Sequence, residues 1–324
     1  MDEHAMVFAP TPQLTITVDQ PADDVEIHLH PGGQGVWQAR MIMRLGVPVV
    51  LCATAGGEIG QVLEPLLASE GVDLAMIRRD TASGGYVHDR RDGKRLEIAD
   101  VPGAPLGRHD LDELYNLALA KGLRAPVSVL SGTGKAPLVP ADMYRRLAAD
   151  LGGNGSQVVA DLSGPFLSAV LDSGELTFLK VSHEELQGDG LIHDDSAEEL
   201  TRAMREMAGR GARTVVVSRA GEPALALIED EVLEVRMPKL EAADPRGAGD
   251  SMTAGVAAVL AKGGDIRTAV RTGAAAGALN VTRHGLGTGR TDALEGLLDR
   301  VELVPLTERD QGRRTADELA ERHR

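Results

Sequence analysis

A chain of 324 residues with 49 acidic and 34 basic side chains, and hence a net charge of −15, is repelled on average by nucleic-acid backbones and anionic membranes. Its single cysteine, Cys52, lies in the apolar run VPVVLCA, which excludes an internal disulfide and a cysteine-built metal site. The remaining class is a protein with a small-molecule partner, long enough for one large α/β domain and, at 2% aromatic content, cored by Ala, Val and Leu.

The N-terminal MDEHAMVFAP has no basic start leading into an apolar stretch, and no run of about 18 apolar residues occurs anywhere, so a cytoplasmic location is expected. Residues 15–31, TITVDQPADDVEIHLHP, alternate with period two around turn signals and predict a pair of strands. A helix from Val36 to Leu45 follows, stopped by Gly46, and then the strand-like VPVVLCA and a helix around 59–70, stopped by Gly71. Residues 84–100 again alternate, with Asp92-Gly93 as a hairpin signal. Asp110 with Glu113 forms a capping-box pattern at the start of another helix.

From PVSVLSG (126–132) onward, short β-rich runs alternate with helical patterns: a helix near 141–150, then QVVADLS (157–163), LTFLKVS (176–182) and RTVVVSR (213–219). Such alternation predicts βαβ units on a mainly parallel sheet. The two inserted pairs of strands do not fit that sheet, so they are expected to form a small separate one, a lid over one end of the main sheet. A third hairpin, 224–238, leads into DPRGAGDSMTAG, and the charged end TERDQGRRTADELAERHR reads as a solvated tail over 305–324, after a single domain over 1–304.

DPRGAGDSMTAG concentrates the chemistry. Gly247, Ala248 and Gly249 fall at the N-terminus of a helix expected from Asp250 to Lys262, where unpaired amides and the helix dipole favour an anion. A carboxylate beside such a cradle repels a resting phosphate but suits a base for an attacking hydroxyl, the pairing that phosphoryl transfer needs. The plainer reading makes Asp250 an ordinary N-cap. A second glycine-rich turn, Pro31 to Gly35, is either a tight turn or bare backbone for substrate hydroxyls. Gly132-Thr133-Gly134-Lys135 lacks P-loop spacing and is set aside, HEEL at 183–186 lacks the second histidine of a zinc helix, and His28 and His30 read as surface residues of the lid.

The GGxG turn, the lid strands and GAGDSMTAG, with VLSGTGKAPLVPADMY, ADLSGPFLSAVL, FLKVSHEEL and AAAGALNVTRHGLGTG in order over residues 7 to 290, resemble the PfkB/ribokinase family of sugar kinases, closest to the 1-phosphofructokinase and tagatose-6-phosphate kinase branch. The resemblance implies a ribokinase-like three-layer α/β/α fold, with a mainly parallel central sheet and a small β-sheet lid. It implies ATP as donor with Mg2+, Asp250 as the base, and Gly247, Ala248 and Gly249 as the anion hole. KVSHEE stands where the family has KPNxxE, which assigns Lys180 to the nucleotide phosphates and Glu185 to magnesium through water, with Ser182, among the cofactor-binding residues, where the family has Asn. Adenine is expected between the 218–225 region, beginning at Ser218, and the helix holding Ala274 and Gly277, although Ala220 and Pro223 stand where the family has glycines.

The acceptor side departs from the family pattern. By resemblance it comprises Gln13, Gly32, Gly33, Gln34, Trp37, Ser83, Gly85, Ser131 and Asp161. Among these, Gln13 replaces an Asp, Gln34 a Lys, Trp37 an Asn, and Ser83 and Gly85 an Arg and an Asn. Each lost charge-assisted bond is worth on the order of 1.5–3 kcal/mol, which points away from the family's own phosphosugar contacts. Trp37, the only tryptophan, reads as a flat wall for a sugar face or nucleobase, or as packing for the first helix. The expected function is an ATP-dependent kinase acting on a sugar, phosphosugar or nucleoside-like acceptor. The alternatives are a nucleotide-binding regulator with a decayed acceptor site, or a fructose 1-phosphate enzyme using Arg40, Arg44 or Arg90. The resemblance also suggests a homodimer through the lid.

Overall fold

The computed structural model describes residues 3–22, 24–134, 137–219, 221–237, 247–281 and 291–306. In its first part, β1 (Ala5–Phe8) is followed by β2 (Gln13–Asp19), β3 (Glu26–Gly32), α1 (Gln34–Arg44), β4 (Val49–Gly56), α2 (Gly57–Ser69) and β5 (Asp73–Arg79). Next come β6 (Ser83–Asp89), β7 (Leu96–Gly103), α3 (Arg108–Gly122), β8 (Val127–Ser131), α4 (Ala141–Gly153), β9 (Gln157–Asp161) and α5 (Gly164–Leu171). The chain continues through β10 (Leu176–Ser182), α6 (His183–Gly188), α7 (Ala197–Gly209), β11 (Thr214–Ser218), β12 (Ala224–Ile228) and β13 (Glu231–Arg236). Then come α8 (Ala248–Ala261), α9 (Ile266–Val281), α10 (Thr291–Leu298) and β14 (Glu302–Pro305).

Among the described residues, ten strands form one sheet in the order β14-β13-β12-β11-β10-β9-β8-β1-β4-β5. The strands from β5 through β11 run parallel, and β12, β13 and β14 close one edge as an antiparallel meander. Alternating side chains feed two cores. Ala5 and Val7 point into one with α1, α2, α8 and α9, while Met6 and Phe8 point into the other with α3, α4 and α7, giving the three-layer α/β/α arrangement. Small residues let the layers approach closely. Where α8 crosses α9, a Cβ on Gly255 would come within 2.8 Å of the Gly273 Cα.

The inserted strands form the expected separate sheet, in the order β3-β2-β6-β7. β6 and β7 make a hairpin whose six-residue connection contains Asp92-Gly93, with the Gly93 N–H donating to the Arg90 carbonyl at 2.8 Å. The two links of the β6–β7 hairpin to the body, β5–β6 and β7–α3, are tied by one side chain. The buried Arg79 donates to the Thr81 hydroxyl and to the Ala104 carbonyl, each at 2.8 Å.

Gly46 and Gly71 follow α1 and α2 as expected, and Cys52 is buried, its thiol pushed up to about 12 by desolvation. The Asp110–Glu113 pattern is not a cap. α3 starts at Arg108 with Gly107 as its N-cap, so Asp110 is already inside the first turn, where a carboxylate complements the helix dipole. The tail from residue 307, together with Lys135 and Ala220, lies outside the described residues. Among those described, no helix is long and apolar enough to cross a membrane.

Candidate active site

The parallel strands end together beside the lid, and there a cleft of about 520 Å³ opens between β1, the start of α1, the β8 and β9 ends and the start of α8. Brought together on its walls are Gln13, Gly33, Gln34, Trp37, Asp161, Glu185 and Asp250, from five separate segments of chain. Such convergence at the carboxyl ends of parallel strands is where open α/β sheets bind ligands.

Asp250 is not an N-cap. Gly247 occupies that place in the left-handed conformation, at φ 72°, with no side-chain cap bond, which sets Asp250 at the third helical residue. Its carboxyl is pushed up to about 7. Desolvation is the chief cause and the neighbouring Asp161 adds to it, while Lys180 and a hydrogen bond from the Gln34 side chain act the other way.

Beneath the glycine turn lies a buried polar network. Lys180 Nζ is 3.2 Å from Asp161 Oδ1, and both side chains are nearly inaccessible. Asp161 Oδ2 accepts from Thr253 Oγ1 at 3.1 Å and from Gln38 Nε2 at 3.4 Å, and the Gln38 amide oxygen accepts from Ser131 Oγ at 2.5 Å. Burial depresses the Lys180 ammonium, but Asp161, Glu185 and Asp250 outweigh it, so the pKa is raised and the lysine stays charged. Glu185 and Ser182 cap α6 reciprocally: the Ser182 N–H and hydroxyl both donate to Glu185 Oε2 at 2.8 Å, and the Glu185 N–H donates back at 3.2 Å.

Not every expected acceptor residue reaches the cleft. Ser131 is wholly buried on Gln38, Ser83 is buried and accepts from the Gly56 N–H at 3.0 Å, and Gly85 sits in β6 against Ile59. Gly32 packs on Thr15 and Trp37. Trp37 lines the cleft and is flanked by His30, ring centroids 5.8 Å apart, and by Arg40, 4.9 Å above the indole. On the expected adenine side, Ala274 is buried in the core. Gly277 lies under α8, where a Cβ would reach the Ala248 carbonyl at 2.9 Å, and the Ser218 carbonyl is 3.3 Å from His183 Nδ1.

Three contributions escaped the sequence reading. Gly132, Thr133 and Gly134, set aside for want of P-loop spacing, line the cleft, and the Gly132 N–H donates to Gln34 Oε1 at 2.6 Å. Thr11 and Phe166 line it as well. Gln38, fully buried on α1, carried one available signal: a glutamine four residues after Gln34 on the apolar face of a helix has to find a polar partner inside.

The chain is 30% identical over 260 residues to the ATP-dependent 6-phosphofructokinase isozyme 2 of Escherichia coli, an alignment covering 79% of this chain and 82% of that protein. It is 28% identical over 285 residues to the 1-phosphofructokinase of Bacillus subtilis, covering 86% and 89%. Among solved structures, phosphofructokinase-2 from Escherichia coli in complex with substrates and products superposes with a TM-score of 0.76 at 25% identity, over 91% of this chain and 98% of that one. Arabidopsis thaliana ribokinase complexed with ribose and ATP superposes with a TM-score of 0.70 at 20% identity, over 92% and 99%, a likeness of fold. With residues 6–293 matching the model described as pfkB family carbohydrate kinase, the chain belongs to that family and is a carbohydrate kinase, a phosphotransferase with an alcohol group as acceptor.

Proposed function

We propose that the protein transfers the γ-phosphoryl group of ATP to a hydroxyl of a small sugar, phosphosugar or nucleoside-like acceptor, with Asp250 as the base. The observation that supports this most is the setting of Asp250: it lines one cleft with the α1 turn and stands in the first turn of α8, after Gly247, Ala248 and Gly249. Asp250 takes the acceptor's hydroxyl proton as its oxygen bonds to the γ-phosphorus and the bond to the bridging oxygen breaks, releasing ADP. The three amides and the dipole of α8 stabilise charge on the moving group, and Lys180 adds positive potential from below.

Magnesium fits the donor set. Among the described residues no three His, Cys, Asp or Glu side chains converge to hold a metal ion by themselves. Glu185 and Asp250 nevertheless line the cleft with hard oxygens, and Mg2+ is commonly held by one or two carboxylates together with waters and substrate phosphates. Glu185, steadied by its bonds to Ser182, would hold the ion through water. Magnesium bound there with ATP would supply positive charge to offset that of the phosphates.

The 1- and 6-phosphofructokinase relatives make fructose 1-phosphate and fructose 6-phosphate the first acceptors to try. ADP release from the purified protein with Mg-ATP, across a panel of sugars, phosphosugars and nucleosides, tests the proposal. Release stimulated by at least one acceptor supports it, and none across the panel overturns it. In that event, calorimetric binding of ATP would favour the decayed regulator. The lid also supports a homodimer. By register Ile27, Leu29, Leu96 and Val101 share the lid face turned away from the cleft, and all four are exposed, at 64, 46, 67 and 54%.

A further inference from the structure

Asp161, Glu185 and Asp250 all line the cleft, and among the described residues no Lys, Arg or His stands on its walls. The cations that touch those walls are already committed. Lys180 lies beneath, 3.2 Å from Asp161. Arg40, stacked 4.9 Å above the Trp37 ring, forks onto Glu70 through Nε at 2.7 Å and Nη2 at 2.5 Å, and both side chains of that pair are largely buried. One of the arginines that could have met a sugar phosphate is thus bound to a carboxylate of its own. Beside the acids the cleft offers Thr11, Gln13 and Ser163, whose hydroxyls and amide both donate and accept, as sugar hydroxyls do. Trp37 adds a flat apolar wall suited to the C–H face of a sugar ring.

We propose that the acceptor is an uncharged sugar, free or within a nucleoside, and that the cleft discriminates against the same sugar carrying a phosphate. This rests on the kinase reading and names its substrate class, although the relatives put phosphosugars first among the acceptors to try. ATP brings its own negative charge into the cleft, and a phosphate on the acceptor adds about 1.5–2 further negative charges near neutral pH. Glu185 and Asp250 repel that charge, and the ammonium below is shared with Asp161. For Arg40 to meet the phosphate it would have to leave Glu70, stranding a largely buried carboxylate. An uncharged sugar meets none of these obstacles, so the discrimination comes from repulsion of the wrong acceptor as much as from attraction of the right one.

The test compares matched acceptors on the purified full chain: fructose with fructose 1-phosphate and fructose 6-phosphate, ribose with ribose 5-phosphate, and adenosine with AMP. In any set that stimulates ADP release from Mg-ATP, the uncharged member should be favoured by about tenfold or more in kcat/KM. Equal values, or preference for a phosphorylated member, overturn the proposal. Lys135 and Arg246, next in sequence to Gly134 and Gly247 and outside the described residues, would then be the source of the missing positive charge. Binding is read separately, without nucleotide, from the emission of Trp37, the only tryptophan. At least one uncharged member should change it saturably, at about tenfold lower concentration than its phosphorylated counterpart. No response to any uncharged member, or a stronger response to the phosphorylated one, overturns the proposal. Because this readout needs no turnover, a selective emission change without any ADP release would sink the kinase reading and leave the charge preference standing. Glu70→Gln, which removes the carboxylate from the Arg40 fork, should narrow the preference severalfold, and an unchanged preference would overturn the role given to that pair.

Discussion

A side chain at position 249 would collide with Lys180: a Cβ there comes 2.5 Å from Nζ and 2.9 Å from Cε, so the lysine passes directly beneath the backbone of the glycine turn. The missing side chain at Gly249 therefore serves the inside of the protein as much as an incoming phosphate. Gly249→Ala should push the ammonium off Asp161, lowering kcat/KM for ATP by about 10–100-fold and costing about 1–3 kcal/mol of stability, read from kinetics and urea unfolding. Unchanged kinetics would mean that Lys180 does not act on the nucleotide.

The Lys180–Asp161 pair predicts a mutational asymmetry. Lys180→Met leaves Asp161 ionised in the interior with only Thr253 and Gln38 as donors, and should cost about 3–5 kcal/mol. Adding Asp161→Asn removes the uncompensated charge and should recover most of that loss. Equal instability of the single and double variants in urea would refute the charge explanation.

Asp250 links activity and stability to pH in opposite senses. As the base it must be ionised, so kcat/KM should fall about tenfold per pH unit below about 7. For stability, its folded pKa lies above the unfolded value near 3.9, so the folded state binds the extra proton between the two. The stabilisation is complete below about 4 and is lost as the pH rises through about 7. Asp250→Asn should therefore reduce turnover by about 10²–10⁴-fold with ATP affinity retained. Above pH 7 it should gain on the order of 1–2 kcal/mol, a few degrees in Tm, relative to the parent. A parent at least as stable as the variant at pH 8 would contradict the buried-charge account.

Trp37, the only tryptophan, makes acceptor binding observable. Its emission should change on adding an accepted sugar, and Trp37→Ala should raise acceptor KM about tenfold with ATP KM unaltered. Equal effects on both substrates would make it a packing residue.

The bare face of the lid sets an assembly prediction. Leu29→Asp should convert a dimer to a monomer by light scattering, and a parent that is already monomeric would remove the lid as an interface.

The sheet and lid were legible because each signal was local: period-two runs, apolar runs capped by glycine, and alternation of strand with helix. The partners of the site residues were not. Ser131 and Asp161 were expected on the acceptor side, and the structure directs Ser131 to Gln38 and ties Asp161 to Lys180, Thr253 and Gln38, contacts spanning 19 to 123 positions of chain that no spacing rule encodes. One local signal was present and passed over: Ser182 and Glu185 have capping-box spacing and form that box, whereas Asp110 and Glu113 share the spacing without forming one. A serine directly after a buried strand has a helix start to cap. Asp110 has a glycine before the helix that already begins it.

The close passage of Gly255 over Gly273 brings the backbones of the two central helices of the final third together at one point, with Met252 and Val256 packed beside it. A slip of one helix past the other would drive backbone into backbone where Gly255 meets Gly273 and where Gly277 meets the Ala248 carbonyl, so these two contacts lock α8 to α9. The floor that bears the Asp250 carboxylate is therefore braced from behind by α9.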